Sequence, residues 1–238
     1  MDNKNVSILN KSTWNNADFD DYYLFLNTIK GNDFNCAWEQ KIVNTKLPCF
    51  SIGSKNTRLI ANEIYKGNYT DFLKNIEFRT HVDTLVFAFI LNKIKDFDLY
   101  EKFLINFSHK VDNWASCDTL KYKNKDKQKL FYLCNKLLVS SYTFARRIAV
   151  NILFEFISKD IDVIFNILDS LSQEKEYYVN MSAAWLLCEC FIKCRQNTLN
   201  YFELNKTNSF IINKAISKCC DSFRVSKEDK ILLKQFKK

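Results

Sequence analysis

The stretch YYVNMSAAWLLCECFIK, residues 177–193, decides the fold of this chain. It is apolar over most of its length and contains neither Gly nor Pro, which is typical of a helix in a protein core. The whole chain follows the same pattern, because its 238 residues include only 3 Gly and 1 Pro. All-β folds and Rossmann or P-loop enzymes need glycine-rich turns, so the composition argues against these classes. With 47% hydrophobic and 26% charged residues, the sequence predicts a globular, all-α protein.

Helical segments in the second half of the chain occur as pairs. Residues 113–138, 142–171 and 177–204 are each predicted to form two helices with a short polar connection. Pairs that recur roughly every 35 to 40 residues are typical of HEAT repeats. We therefore predict an α-α superhelix, or solenoid, of HEAT-like repeats that forms a single domain over residues 1–238. An irregular helical bundle is the alternative.

Polar residues mark several helix ends in the first half of the chain. Ser54 is predicted to cap a helix that ends at Gly67. Thr80 and Asp83 form a capping-box pattern in front of the apolar run 85–91.

The cysteines and the N-terminus indicate a cellular compartment. The N-terminus lacks an apolar signal core and no apolar run is long enough to span a bilayer, so we expect a cytoplasmic protein that does not contact membranes. The nine cysteines are then expected to be reduced thiols. Cys188, Cys190 and Cys194 allow a metal-binding interpretation, but positions two apart face different sides of a helix, which favours buried thiols. We predict neither a metal nor a cofactor.

Positive charge is concentrated in the second half of the chain. Residues 1–110 carry 14 Lys and Arg against 13 Asp and Glu, whereas residues 111–238 carry 21 against 14. A one-sided basic excess indicates a polyanion as partner. A Lys-rich composition that only solvates helix faces is an equally good interpretation.

Polar and aromatic residues at repeat spacing are the best candidates for a site. The usual hydrolase, metalloprotease and nucleotide-binding motifs are absent from the sequence, and the two His residues lack zinc-finger spacing. Trp114 and Asp118 are four residues apart and share one helix face. Arg147 and Trp185 follow at intervals close to one helix pair each, so in a solenoid all four are predicted to line one groove. Taken singly, each Trp is more typical of a core, Asp118 of a solvated helix charge, and Arg146 or Arg147 of an internal ion pair.

Four segments resemble the DNA alkylation repair enzymes of the AlkD type. They are VDNWASCDTL (111–120), ARRIAVNILF (145–154), YYVNMSAAWLLCE (177–189) and NKAISKCCDSFRVSKEDKILLK (213–234). The members of this family are HEAT-like-repeat glycosylases that act on alkylated purines in DNA.

The resemblance implies a role for each candidate residue. Trp114 and Asp118 match the catalytic Trp-x3-Asp of the family, and Trp185 matches its second groove tryptophan. Arg147 matches the DNA-contacting arginine, and a one-residue shift of the alignment would select Arg146 instead. The implied partner is duplex DNA that carries alkylated purines, bound by a monomer.

A carboxylate and tryptophans are suited to the chemistry of a cationic alkylated purine. A purine alkylated at N3 or N7 is positively charged, so its glycosidic bond is weakened and no strong general acid is needed. A carboxylate can stabilise the developing sugar cation and position a water molecule, while tryptophan faces attract cations. We therefore predict a monofunctional alkylpurine DNA glycosylase. The alternative is a non-enzymatic helical-repeat module that binds DNA or a protein.

Overall fold

The computed structural model describes residues 6–204 and 206–237. Within these ranges, the secondary structure consists of fourteen α-helices and three short 3₁₀ helices, without a β-strand. The prediction of an all-α protein is therefore confirmed. The chain forms two compact units, Met1–Lys121 (unit 1) and Tyr122–Lys238 (unit 2). The single domain proposed from sequence stays a prediction.

Helices of unit 1 pack around an apolar core. They are α1 (Asn16–Thr28), α2 (Asp33–Val43), α3 (Ser54–Lys66), α4 (Tyr69–Asn75), α5 (His81–Leu91), α6 (Phe97–Lys110) and α7 (Trp114–Asp118). Helix α5 is buried on most sides, because α3, α6 and α7 all pack against it. An aromatic cluster of Trp14, Phe19, Tyr22 and Phe72 fills another part of the core, with ring centroids 4.8 to 6.2 Å apart. Such burial is the main source of stability in a helical unit.

Helices of unit 2 pack around α11. They are α8 (Lys127–Leu138), α9 (Thr143–Ile152), α10 (Ile161–Ser170), α11 (Tyr177–Lys193), α12 (Arg195–Leu204), α13 (Ser209–Asp221) and α14 (Lys227–Lys234). Helices α9 and α13 both pack against α11, and α8 packs against α9. Ala183, Ala184, Leu186 and Leu187 of α11 are completely buried. The apolar stretch 177–193 thus lies at the centre of this unit.

Several predicted helix ends agree with the structure. Helix α11 has the predicted bounds, Tyr177–Lys193. Helix α3 ends in front of Gly67, and Asp83 closes the capping box by accepting a hydrogen bond from the Thr80 N–H at 2.7 Å.

Other helix ends differ from the prediction for identifiable reasons. Gly53 rather than Ser54 is the N-cap of α3, with a φ of 79° that favours glycine. The sequence pattern predicts a helix over residues 113–122, but helix α7 ends at Asp118. The side chain of Asn92 accounts for this early end, because it donates to the Thr119 carbonyl at 3.0 Å and accepts from the Lys121 N–H at 2.8 Å. These tertiary contacts satisfy backbone groups that a longer helix would otherwise pair.

Two further differences concern short segments. Helix α9 ends at Ile152 and is followed by a 3₁₀ turn, Leu153–Glu155, where sequence predicts a helix to residue 158. Helix α4, which begins after its N-cap Asn68, is not predicted from the sequence. Among the described residues, no helix is long and apolar enough to cross a membrane.

Candidate functional site

Helix α7 presents Trp114 and Asp118 together. Trp114 is its first residue and Asp118 its last, so they are four positions apart and share one face. Both side chains are partly exposed. The helix is short, and the side chain of Asn113 caps it by accepting a hydrogen bond from the Ser116 N–H at 2.9 Å. The predicted Trp–Asp pair is thus brought together on an accessible helix face.

A buried polar network fixes α7 against α5. The hydroxyls of Thr84 and Ser116 lie 2.7 Å apart, and Thr84 also bonds the His81 carbonyl at 2.7 Å. Asn113 is completely buried. Buried polar groups that are all paired hold a unique geometry. Asn113 is not predicted as a residue that positions the site, although an Asn directly before a helical segment is a recognisable N-cap signal.

Trp114 is also anchored to α2. Its indole Nε1 donates a hydrogen bond to the Ile42 carbonyl at 3.3 Å. Helix α2 ends at Val43, and the carbonyls of a last helical turn have no intrahelical partner. The indole N–H therefore pairs a carbonyl at the end of α2, while the Trp114 side chain stays partly exposed.

Arg146 in unit 2 is engaged in an internal ion pair. Its Nε and Nη2 donate to the two carboxylate oxygens of Glu174 at 2.7 and 3.2 Å, and Nη1 donates to the Ser140 carbonyl at 2.9 Å. Burial raises the pKa of Glu174, but hydrogen bonds from Arg146 and from two backbone N–H groups outweigh it, so the pKa is lowered. The internal ion pair considered for this arginine from the sequence is thus present in the structure.

Arg147 is more deeply buried than its neighbour. It is 5% exposed, and its Nη1 donates to the Tyr178 carbonyl at 2.6 Å. This contact ties α9 to the start of α11 and gives Arg147 a structural role. Its role in DNA binding stays a prediction, as does the choice between Arg146 and Arg147.

Trp185 lies at the surface of α11. It is 38% exposed, whereas its neighbour Leu186 is completely buried. One side of the indole packs against Phe154, with ring centroids 4.7 Å apart and planes tilted by 59°. Trp185 is therefore only partly enclosed by its own unit. Contact with DNA, and the common groove expected from repeat spacing, stay predictions.

Two cysteines of α11 and Cys194, the C-cap directly after it, have the environment expected of free thiols. Cys188 and Cys190 are buried, Cys194 is partly exposed, and all three are free. Burial raises the pKa of Cys190. A hydrogen bond with Cys219 lowers the pKa of Cys188, so Cys190 is the thiol of the three that packs as a small apolar group.

Fold and site together define a class of protein. The described residues form helices and connecting loops without a β-strand, and they display a tryptophan and a carboxylate on one face of a capped helix. Residues 39–219 match the family model described as DNA alkylation repair enzyme, and the chain belongs to this family. Family membership gives it a role in DNA alkylation repair with DNA as substrate, and it confirms the resemblance found in the sequence. No curated protein and no solved structure matches the chain.

Proposed function

We propose that the protein is a monofunctional DNA glycosylase that hydrolyses the N-glycosidic bond of cationic N3- or N7-alkylated purines in duplex DNA. The observation that carries this proposal is the placement of Trp114 and Asp118 on one partly exposed face of α7. Family membership over residues 39–219, a range that includes both residues, supports it.

The proposed reaction uses Asp118 as its carboxylate. Cleavage of the bond between the sugar C1′ and the purine nitrogen sends the bonding electrons to the base. The base leaves as a neutral purine, because those electrons cancel its positive charge. The carboxylate stabilises the oxocarbenium-like sugar and orients a water molecule, which adds to C1′ and gives up one proton. The products are free alkylated base and an abasic site.

Aromatic side chains are proposed to recognise the cationic base. Trp114 is held in place by Ile42 and keeps part of its ring accessible. A cation over a tryptophan face gains about 0.5 to 2 kcal/mol. We assign Trp185 as a second aromatic contact with DNA, which its 38% exposure supports.

Packing in unit 2 supports a repeat arrangement. Helices α9 and α13 flank α11, and these three helices begin at Thr143, Tyr177 and Ser209. This near-regular interval is typical of helical-pair repeats, although it is shorter than the roughly 40 to 47 residues of most HEAT repeats. Equivalent helices of successive HEAT repeats stack in this way. We propose that HEAT-like repeats bind DNA phosphates through the basic second half of the chain, with Arg147 as one contact, and that the protein acts as a cytoplasmic monomer.

Substitution Asp118→Asn tests the proposal, because it keeps the shape of the side chain and removes its charge. We expect release of methylated base from alkylated DNA to fall by on the order of a hundredfold or more, as for other preorganised electrostatic groups. DNA affinity should stay equal or increase, since a negative charge next to phosphates is lost. Asp20→Asn is the matched control, because Asp20 is an exposed carboxylate on α1 of the same unit.

Two results would contradict the proposed role of Asp118. One is unchanged excision by Asp118→Asn, and the other is an equal loss of binding and excision. Tight DNA binding by the wild type without any base release would instead identify a non-enzymatic DNA-binding module.

A further inference from the structure

Three potential metal ligands converge in unit 1, apart from the Trp114–Asp118 face. They are Glu39 on α2, Cys49 in the segment between α2 and α3, and His81 at the start of α5. One ligand atom from each lies within 4.8 Å of the other two. His81 Nδ1 and Glu39 Oε1 lie 3.2 Å apart. Atoms at such separations can share one small cation after minor adjustment.

Backbone contacts hold two of these ligands next to each other. The His81 N–H donates to the Pro48 carbonyl at 3.0 Å, so the residue directly before Cys49 is tied to α5. The Cys49 N–H in turn donates to Gln40 Oε1 on α2 at 3.1 Å.

The third ligand is fixed through its second carboxylate oxygen. Glu39 Oε2 accepts a hydrogen bond from the Ser51 N–H at 2.7 Å. Ser51 has a φ of 50°, a left-handed conformation that a serine keeps only when its surroundings hold it. Hydrogen bonds of this kind orient ligating groups at metal sites. The three side chains are therefore held by their surroundings.

Burial and packing leave the imidazole of His81 incompletely paired. The His81 side chain is 2% exposed, and within the described residues its Nε2 has no hydrogen-bond partner. Buried polar atoms are normally paired, so the imidazole keeps one nitrogen for a further ligand. A cavity of about 230 Å³ lies beside the cluster, lined by Glu39 and His81 together with Ser54, Thr57, Ala115 and Thr119.

We propose that Glu39, Cys49 and His81 bind a Zn²⁺ ion. Thiolate, imidazole and carboxylate are the three side-chain groups that zinc prefers, and a mixed set of this kind disfavours Mg²⁺ and Ca²⁺. Three protein ligands leave one tetrahedral position, and the adjoining cavity has room for a water molecule or small ligand there. Sequence spacing does not reveal the site, because the ligands come from three separate segments. The site goes beyond the proposed glycosylase reaction, which needs no metal.

Cobalt serves as the spectroscopic probe for this site. Full-length protein is stripped of metal with a chelator and then titrated with Co²⁺ alone. We expect a near-ultraviolet thiolate-to-cobalt charge-transfer band that saturates at one equivalent and disappears when Zn²⁺ is added. Absence of the band in the wild type would overturn the proposal.

Variants separate the proposed ligands from the other cysteines. The charge-transfer band should be lost in Cys49→Ser. In Glu39→Gln, which keeps an acceptor for the Ser51 N–H, the affinity for Co²⁺ should fall at least tenfold. Cys134→Ser is the matched control, because Cys134 is also a buried free thiol but belongs to unit 2. An undiminished band in Cys49→Ser would assign the cobalt to other thiols and overturn the site. Should Cys49→Ser fail to fold, Glu39→Gln decides, since unchanged cobalt affinity in that variant also contradicts the proposal.

Discussion

The indole Nε1 of Trp114 donates a hydrogen bond to the backbone carbonyl of Ile42 at the C-terminal end of α2. This contact links residues that are distant in sequence and gives the ring one orientation on α7. The same helix carries Asp118 four residues later. The orientation of the aromatic ring relative to the carboxylate thus depends on where α2 ends.

Substitution Trp114→Phe should distinguish the contribution of the hydrogen bond to Ile42 from that of the aromatic ring. Phenylalanine keeps a ring for the cationic base but cannot donate to Ile42, and a typical hydrogen bond contributes about 0.5 to 1.5 kcal/mol. We expect kcat/KM on alkylated DNA to fall by about 2- to 10-fold, and further in Trp114→Ala, which also loses the cation–π contact. Trp38→Phe is the control, because Trp38 lies on α2 and is 61% exposed. Equal activity of Trp114→Phe, Trp114→Ala and wild type would exclude Trp114 from the reaction.

The salt dependence of DNA binding should distinguish Arg147 from Arg146. If Arg147 contacts a phosphate, Arg147→Ala should make the log–log slope of affinity against salt shallower by about one unit. Arg146→Ala should leave the slope unchanged, because all three guanidinium nitrogens of Arg146 already donate to Glu174 and Ser140. Both variants should melt at lower temperature than the wild type, since each loses internal hydrogen bonds. A change of slope in Arg146→Ala alone would transfer the phosphate contact to Arg146.

Substitution Trp185→Ala should affect DNA engagement more than stability. Trp185 is 38% exposed, so we expect a stability cost clearly below the roughly 3 to 5 kcal/mol of a buried Trp→Ala change. If the ring stacks on DNA, affinity for the damaged site should weaken by about 1 to 3 kcal/mol. Trp14→Ala provides the comparison, because Trp14 is 3% exposed and lies in the aromatic core of unit 1. Thermal melting and base release measure the two effects. A melting temperature as low as that of Trp14→Ala, with activity retained below it, would make Trp185 a core residue.

Asp83 should make stability fall as pH rises through the weakly acidic range. Burial raises its pKa to about 6, although hydrogen bonds from Thr80, Tyr22 and Arg79 oppose the shift. Because the folded pKa exceeds the unfolded value of about 3.9, the protonated form stabilises the fold fully below about pH 4. This contribution is lost between about pH 4 and pH 6, on the order of 3 kcal/mol.

The variant Asp83→Asn isolates this effect from those of other carboxyl groups. Urea unfolding of wild type and Asp83→Asn should give stability curves whose difference changes mainly between about pH 4 and pH 6 and levels off above this range. Carboxyl groups such as Glu174, whose pKa is lowered, contribute to both proteins alike and cancel. A pH-independent difference would show that Asp83 titrates in the folded protein as it does in the unfolded chain.

Much of the fold and part of the candidate site could be predicted from sequence. The near absence of Gly and Pro indicates helices, and the local patterns at Gly67, Thr80 and Asp83 define helix ends, because caps depend on neighbouring residues only. The four-residue spacing of Trp114 and Asp118 places them on one face for the same reason. The match to the DNA alkylation repair enzyme family agrees with the motifs that surround them.

Only the tertiary structure shows what depends on distant residues. Asn92 shortens α7, Glu174 engages Arg146, and Ile42 anchors Trp114. Glu39, Cys49 and His81 come together because α2, the segment after it and the start of α5 are tied by Pro48–His81 and Glu39–Ser51 hydrogen bonds. Sequence alone determines local propensities and helical faces, since these arise from residues a few positions apart. The partners of buried polar groups are decided by packing between segments, which brings together atoms that no sequence spacing relates.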